Sequence, residues 1–382
     1  MRLPELIATA LADEVEPAES AVMQEARRVM EVCNACRYCE GYCAVFPAME
    51  LRREFGSGDL NYLANLCHSC HGCYYACQYA PPHEFGINVP RTLAALRDES
   101  YREYAWPAPL ARLYQRNGTV LALAMTVAVA AILLLAMALQ DHAVLFGPHA
   151  PVPGASFYRV IPYPVMVWTA SLTFGYSLLA LGVGFSRFWR GTGGAASELA
   201  QARPLLQALR DAATLRYLSG GGHGCNDTDE GFSTRRRWLH HAMAYGFLLC
   251  FASTTVATFY HHVLGWKAPY GLASLPVLLG TAGGMGIMVG CAGLLWLKLS
   301  GDAATSARYL LGAECALLLL LFMIAVTGLL LLAVRTTGAM GIALAVHLGF
   351  VLALFVTLPY SKLVHGLYRT GALIRHAIER PL

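Results

Sequence analysis

Polar and apolar positions are distributed unevenly along the chain. From residue 117 onward six apolar runs occur, at 119–139, 164–185, 242–262, 275–297, 309–334 and 339–358. Each suffices to cross the roughly 30 Å hydrocarbon core of a bilayer as a helix rising about 1.5 Å per residue. Residues 1–116 hold no such run. There the stretch AESAVMQEARRVMEV (18–32) has helical apolar spacing and leads into a first cysteine cluster, and the Gly56-Ser57-Gly58-Asp59 turn precedes a short helix, LNYLANL, that leads into Cys67. Period-two alternation of β-branched residues is scarce. The pattern predicts a mainly α protein: a helical ferredoxin-type head over 1–116, then an integral membrane domain over 117–382 with six transmembrane helices.

Composition agrees. Of 382 residues 56% are hydrophobic and only 14% charged, with a mean hydropathy of +0.47, whereas a soluble chain carries about 25% charged residues. A water-soluble two-domain enzyme is excluded on that ground. The net charge of +4 is small, and the basic residues sit beside the apolar runs and form no single stripe, which speaks against nucleic-acid binding.

Those basic residues read as topology. Arg97, Arg102, Arg112 and Arg116 precede the first run, and Arg187, Arg190, Arg203, Arg210, Arg216, Arg235, Arg236 and Arg237 fill the second connection. Lys298 and Arg308 flank the fourth connection, and Lys362, Arg369, Arg375 and Arg380 follow the sixth run, against only Arg159, Lys267 and Arg335 on the opposite side. The positive-inside rule then makes both termini cytoplasmic. The first residues, MRLPELIATALADEVEP, lack the n-region, h-region and cleavage site of a secretory signal, so the head is expected to stay in the cytoplasm.

In that reducing compartment regularly spaced cysteines point to metal thiolates and not to disulfides. Cys33-x2-Cys36-x2-Cys39-x3-Cys43 and Cys67-x2-Cys70-x2-Cys73-x3-Cys77 repeat the run of bacterial two-cluster ferredoxins, with Pro47 and Pro81 a few residues on. In such runs the fourth cysteine serves the other cluster. One [4Fe–4S] cluster is then assigned to Cys33, Cys36, Cys39 and Cys77, and a second to Cys67, Cys70, Cys73 and Cys43. Structural zinc is the plain alternative. His68 and His71 interleave the second motif and read first as solvated loop residues, with tuning of a cluster as the second reading. Cys225, Cys250, Cys291 and Cys315 are scattered and receive no metal role.

Ionisable groups in apolar runs are costly and mark function. His240 and His241 open the third run, His261 and His262 close it, His347 lies within the sixth and His365 just past its end. On a continuous helix His347 and His365, 18 residues apart, share a face, while His240 and His262 are offset by about 40° and His241 and His261 by about 200°. This permits haem b, one group or two stacked across the bilayer, as in a dihaem cytochrome b: one histidine of each doublet would pair with His365 inside and His347 outside. Pro359 threatens the continuity, and histidines at helix ends also simply meet water. Glu314 is a candidate proton donor for a quinone near Lys298, Tyr309 or Tyr360, a structural hydrogen bond being the alternative. The loop SGGGHGCND (219–227) matches no nucleotide-binding order and reads as a contact loop for the head or a partner.

Together, CNACRYCEGYC, NYLANLCHSCHGCYYACQYAPPHEFGINVPR, the GGGHGCND loop, RRRWLHH and the later histidines make the chain resemble the tricarballylate/citrate utilisation protein B family over nearly its full length. The resemblance implies a multi-pass protein of the bacterial cell membrane that reoxidises the reduced FAD of a partner flavoprotein dehydrogenase and passes electrons to the quinone pool. Substrate would bind the flavoprotein, in keeping with the lack here of a flavin fingerprint or a nucleophile–base constellation. Two other readings are service to the flavoprotein of oxygen-dependent cobalamin ring synthesis, where a similar module occurs, and a membrane redox sensor, for which no output segment is visible.

Overall fold

The computed structural model describes residues 19–113, 117–148 and 157–380; Arg116 and the leader reading of 1–17 fall outside them. Among the described residues the secondary structure is helical, apart from one isolated bridge between Cys225 and Ser233.

The head begins with α1 (Ala21–Cys36), opened by Ser20, whose Oγ accepts from the Met23 amide at 3.1 Å, and closed by Arg37 in the left-handed region at φ 55°. The helix therefore carries Cys33 and Cys36 on its last turn, and the left-handed residue throws the chain round to Cys39. Next come α2 (Val45–Glu50), α3 (Ser57–Leu66), the single turn α4 (Gly72–Tyr75) and α5 (Val89–Tyr104). Asn88 caps α5, accepting from the Arg91 amide, with Pro90 in its first turn, a position that needs no amide donor. The two cysteine loops lie between these helices, so a small apolar core of Met30, Met49, Leu60, Leu63, Leu93 and Leu96 holds them.

After α6 (Ala108–Leu113) the long apolar helices begin: α7 (Asn117–Leu139), then the short α8 (His142–Phe146) and α9 (Phe157–Val160), α10 (Tyr163–Gly191), the amphipathic α11 (Ala202–Thr214), α12 (Arg235–His262), α13 (Leu275–Ser300), α14 (Leu311–Val334), α15 (Met340–Thr357) and the terminal α16 (His365–Glu379). Among the described residues six helices are long and apolar enough to cross a membrane: Gly118–Leu139, Tyr163–Gly191, Arg235–His262, Leu275–Ser300, Arg308–Val334 and Met340–Thr357. They coincide with the six apolar runs, the second and third extending into the polar sequence beyond. Leu134, Leu172 and Val289 are at least 60% exposed on their outer faces, a cost in water and none in lipid.

The bundle is closest-packed where α12 meets α13. Gly283, Gly286, Gly290 and Gly293 share one face of α13, and a Cβ at Gly290 would stand 2.5 Å from the Met243 amide nitrogen and 2.6 Å from the Leu239 carbonyl. Small residues on one stripe let two backbones touch, the usual device where lipid removes the hydrophobic drive between helices. At the other end of the chain α15 stops at Thr357, and Pro359 separates it from a 3-10 turn (Lys362–Val364) and α16. The continuous helix assumed for His347 and His365 is thus broken, since proline supplies no amide to carry the ladder on, and their 18-residue spacing carries no common face.

The head is not finished by its own sequence. Phe188 and Trp189 of α10, Ala208 of α11 and Tyr368, Ala372, Leu373 and Ile374 of α16 enter the same apolar core as α1 to α5. Phe188 stacks on Tyr368 at 4.8 Å, and Arg52, almost buried, bonds Asp59 and Glu379, each at 2.6 Å.

Candidate functional site

The eight motif cysteines fall into two sets that cross the motifs. Cys33 and Cys36 from α1, Cys39 from the loop after it and Cys77 from beyond α4 line one cavity of about 200 Å³, with Tyr38, Gln78 and Tyr79 at its edge. Cys43 sits instead among Cys67, Cys70 and Cys73, whose thiols act on one another. Burial, with neighbouring thiols adding to it, pushes Cys33 and Cys39 up to about 12, and it drives Cys43 and Cys73 well above the ordinary thiol range. Thiolates gathered there need a cationic centre to hold them.

The spread of donors discriminates between centres. Among the described residues no three His, Cys, Asp or Glu side chains converge tightly enough for one metal ion. Four thiolates on one zinc must lie within roughly 4 Å of each other, given Zn–S bonds of about 2.3 Å. A four-iron cluster takes one thiolate at each of four separate irons, and the open cysteine-lined cavity suits that donor set.

His68 and His71 differ from the solvated residues expected. Both are over 90% buried, His71 under the 219–233 segment, which folds back over the second cysteine loop, and His68 toward Tyr217, His240 and Arg369. The Asn226 amide donates to the Cys70 carbonyl at 2.9 Å, the Gly221 amide to Tyr42 at 2.9 Å, and Nδ1 of His71 lies 3.0 Å from the Asn226 carbonyl. Gly220 is at φ 47°, and a Cβ on Gly72 would be 3.3 Å from its Cα, so two glycines permit the approach. Burial pulls the His71 ring down to about 3, and Arg236 adds to the effect, so it is neutral. The loop read from sequence as a contact for head or partner is a contact for the head. Cys225, which had been given no role, is buried beside Cys70 within it.

The histidines of the membrane helices separate into two groups. His240 of α12 and His365 at the start of α16 come together, ring centroids 6.2 Å apart and planes at 87°, and Nδ1 of His365 bonds the Lys362 carbonyl at 2.5 Å. His241 turns aside toward Tyr245, its ring 5.5 Å away. At the far end His261 stacks on Tyr163 at 4.3 Å, and Nε2 of His262 lies 2.6 Å from the Tyr163 hydroxyl. His347 is elsewhere, its Nδ1 3.1 Å from Thr327 Oγ1 and its ring against Gly328 of α14. Of the pairs expected from sequence, His240 and His365 lie side by side, whereas the outer doublet contacts Tyr163 and His347 contacts Thr327.

Glu314 is gripped by Lys298 and Lys362 and lines a cavity of about 310 Å³ with Arg97, Asp98, Tyr309, Tyr360 and Lys362. This cavity lies where head helix α5 meets the ends of the long helices. Burial, with Lys298 nearby, holds the Lys362 ammonium well below the ordinary lysine value. Arg97 joins cavity and cysteine loop, because its Nη1 also donates to the Cys67 carbonyl at 2.5 Å.

Residues 114–381 match the family described as Citrate utilization protein B, and residues 26–103 match that family's Fer4-like domain. The chain belongs to the Citrate utilization protein B family. One relative, Citrate utilization protein B of Escherichia coli, is 48% identical over 357 residues, 93% of this chain and 92% of the relative. No solved structure matches. This chain thus combines the family's Fer4-like domain with the membrane-capable helices described above.

Proposed function

We propose that the chain is a membrane electron-transfer protein that accepts electrons from the reduced FAD of a separate dehydrogenase, of the tricarballylate or citrate utilisation type, and delivers them to quinone. The observation that carries the reading is the crossing of the cysteine sets, three thiols from one motif and the fourth from the other, which is the ligand logic of a two-cluster ferredoxin. Cys33, Cys36, Cys39 and Cys77 would hold one [4Fe–4S] cluster and Cys43, Cys67, Cys70 and Cys73 the other. Such clusters supply one-electron carriers. The cytoplasmic side of a bacterial inner membrane is the compartment proposed for the head, from the run of arginines on the connections next to it.

His240 and His365 are the proposed ligands of one haem b. Imidazole nitrogens each about 2 Å from a shared metal hold their ring centroids about 6 Å apart, which the 6.2 Å spacing supports. The cavity at Glu314 is the proposed quinone site. Lys298 and Lys362 grip Glu314 from two sides, and this carboxylate–ammonium cluster would supply the protons.

The test is a reduced-minus-oxidised optical spectrum of the detergent-solubilised protein, with iron and haem quantified. Non-haem iron at about eight per chain, the content of two four-iron clusters, with a sharp b-type α-band is the expected result. Zinc in place of iron would overturn the reading. Iron without haem would confine electron transfer to the cysteine sets and return His240 and His365 to structural roles.

A further inference from the structure

The second cysteine loop is held by cations that lack carboxylates of their own. Arg97 of α5 donates Nη1 to the Cys67 carbonyl at 2.5 Å and Nη2 to Ser69 Oγ at 2.9 Å, and Arg369 of α16 donates Nη2 to the same Cys67 carbonyl at 2.9 Å. Among the described residues neither guanidinium pairs with an acid, in contrast to Arg236, which bonds the Ser69 carbonyl and is matched by Asp227 at 2.7 Å. Arg97 is 5% exposed, and Nε of Arg369 has no partner. Two like charges on one buried carbonyl repel one another, and burial removes the water that would screen them. What the arrangement calls for is a neighbouring anion.

A cluster with four thiolate ligands is that anion, because the thiolates outweigh the positive charge of the iron–sulfide core, and it gains a further negative charge on reduction. Hydrogen bonds reinforce the effect. The Ser69 amide donates to Cys67 Sγ at 3.4 Å, the Gly72 and Gly220 amides donate to the Cys70 sulfur, and the Val45 and Phe46 amides donate to Cys43. Around the first set burial and then the neighbouring thiols act on the cysteines, with Gln78 donating to Cys36 at 3.9 Å and the Tyr79 and Ala80 amides to Cys77. Positive charge and donors to sulfur both favour the reduced state.

Building on the cluster assignment above, we propose that Arg97 and Arg369 are potential-setting residues that make the site of Cys43, Cys67, Cys70 and Cys73 the more easily reduced of the two. The exchange is of one electron, lost by the first site and gained by the second, with no bond made or broken. Electrons entering at Cys33, Cys36, Cys39 and Cys77 therefore run toward the end of the head that bears on α12 and α16.

The experiment is a dithionite titration of the full chain in detergent, its clusters reconstituted with iron and sulfide, followed by electron paramagnetic resonance. Two midpoints are expected, and Cys36→Ser, which alters the first set, must change the signal of lower potential. Arg97→Gln and Arg369→Gln should each move the higher midpoint to more negative values and leave the lower one in place, while Arg369→Lys keeps it near the wild-type value. A Cys36→Ser effect on the higher-potential signal would overturn the proposal, as would a higher midpoint unmoved by Arg369→Gln. A reconstituted chain with no four-iron signal would instead overturn the cluster assignment on which the proposal stands.

Discussion

Cys77 belongs by sequence to the second motif and by position to the first set. A change there separates the two descriptions: Cys77→Ala should abolish the signal that Cys36→Ser perturbs, bring iron down toward half, and leave the signal assigned to Cys67 and Cys70 intact. Loss of the other signal would restore a ligand set confined to each motif. Iron analysis and paramagnetic resonance on the same sample decide it. The cysteines were legible because their chemistry depends on short spacing. His68 and His71 were not, since what buries them is distant in sequence: a loop some 150 residues on for His71, in contact through Asn226, and Tyr217 with the ends of α12 and α16 for His68. His240 stood out from His241 only once α16 brought His365 beside it, a tertiary fact that a helical wheel of α12 does not contain.

At the scale of elements, apolar runs located the six long helices, because length and hydropathy are what a bilayer demands, but missed the polar ends by which the second and third extend six and seven residues further. How the helices meet was written in glycines that hydropathy overlooks. The α12–α13 contact rests on Gly246, Gly283, Gly286 and Gly290, and a Cβ on Gly246 would come within 2.7 Å of the Gly283 carbonyl. Gly290→Val should force the helices apart at a cost of about 1–3 kcal/mol, seen as a lower melting temperature in detergent. Because α12 also carries His240, the same variant should broaden or diminish any haem band; a band and melting point equal to wild type would show that the contact is dispensable. The broken sixth helix teaches the converse. Pro359 was visible in the sequence, yet the consequence, a separate α16 turned onto the head, depends on the apolar face of α16 finding Phe188 and the α3 side chains.

For the whole molecule, the boundary that the sequence suggests at residue 116, between the head and the long apolar helices, divides the sequence more cleanly than the core. Tyr62 and Leu63 of α3 share one buried cluster with Tyr368, Leu373 and Ile374 of α16 and with Phe188 at the end of α10. The join is also ionic. Arg52 bonds the Ala48 carbonyl, Asp59 and Glu379, while Arg375 bonds Glu379 at 3.0 Å. Burial raises the Glu379 carboxyl, but Arg52 and Arg375 more than offset this and hold it below the ordinary value, so the clamp is fully formed at neutral pH and is lost only on acidification through that lowered value. Arg52→Ala should therefore cost about 2 kcal/mol at neutral pH, less than a fully buried pair because Glu379 keeps some solvent contact. A stronger consequence concerns residues 1–116 expressed alone. Without α10, α11 and α16 the fragment exposes the apolar faces of α3 and α5 and loses Glu379, one of the two carboxylates facing Arg52, and each large side chain left uncovered forfeits about 1.5–3 kcal/mol. That is a large share of what so small a domain has in reserve. The isolated fragment should bind less iron than the same residues in the full chain, and it should lack cooperative melting by circular dichroism. Iron per cysteine equal to that of the full chain, with a sharp thermal transition, would show that the head folds by itself and that the long helices only anchor it.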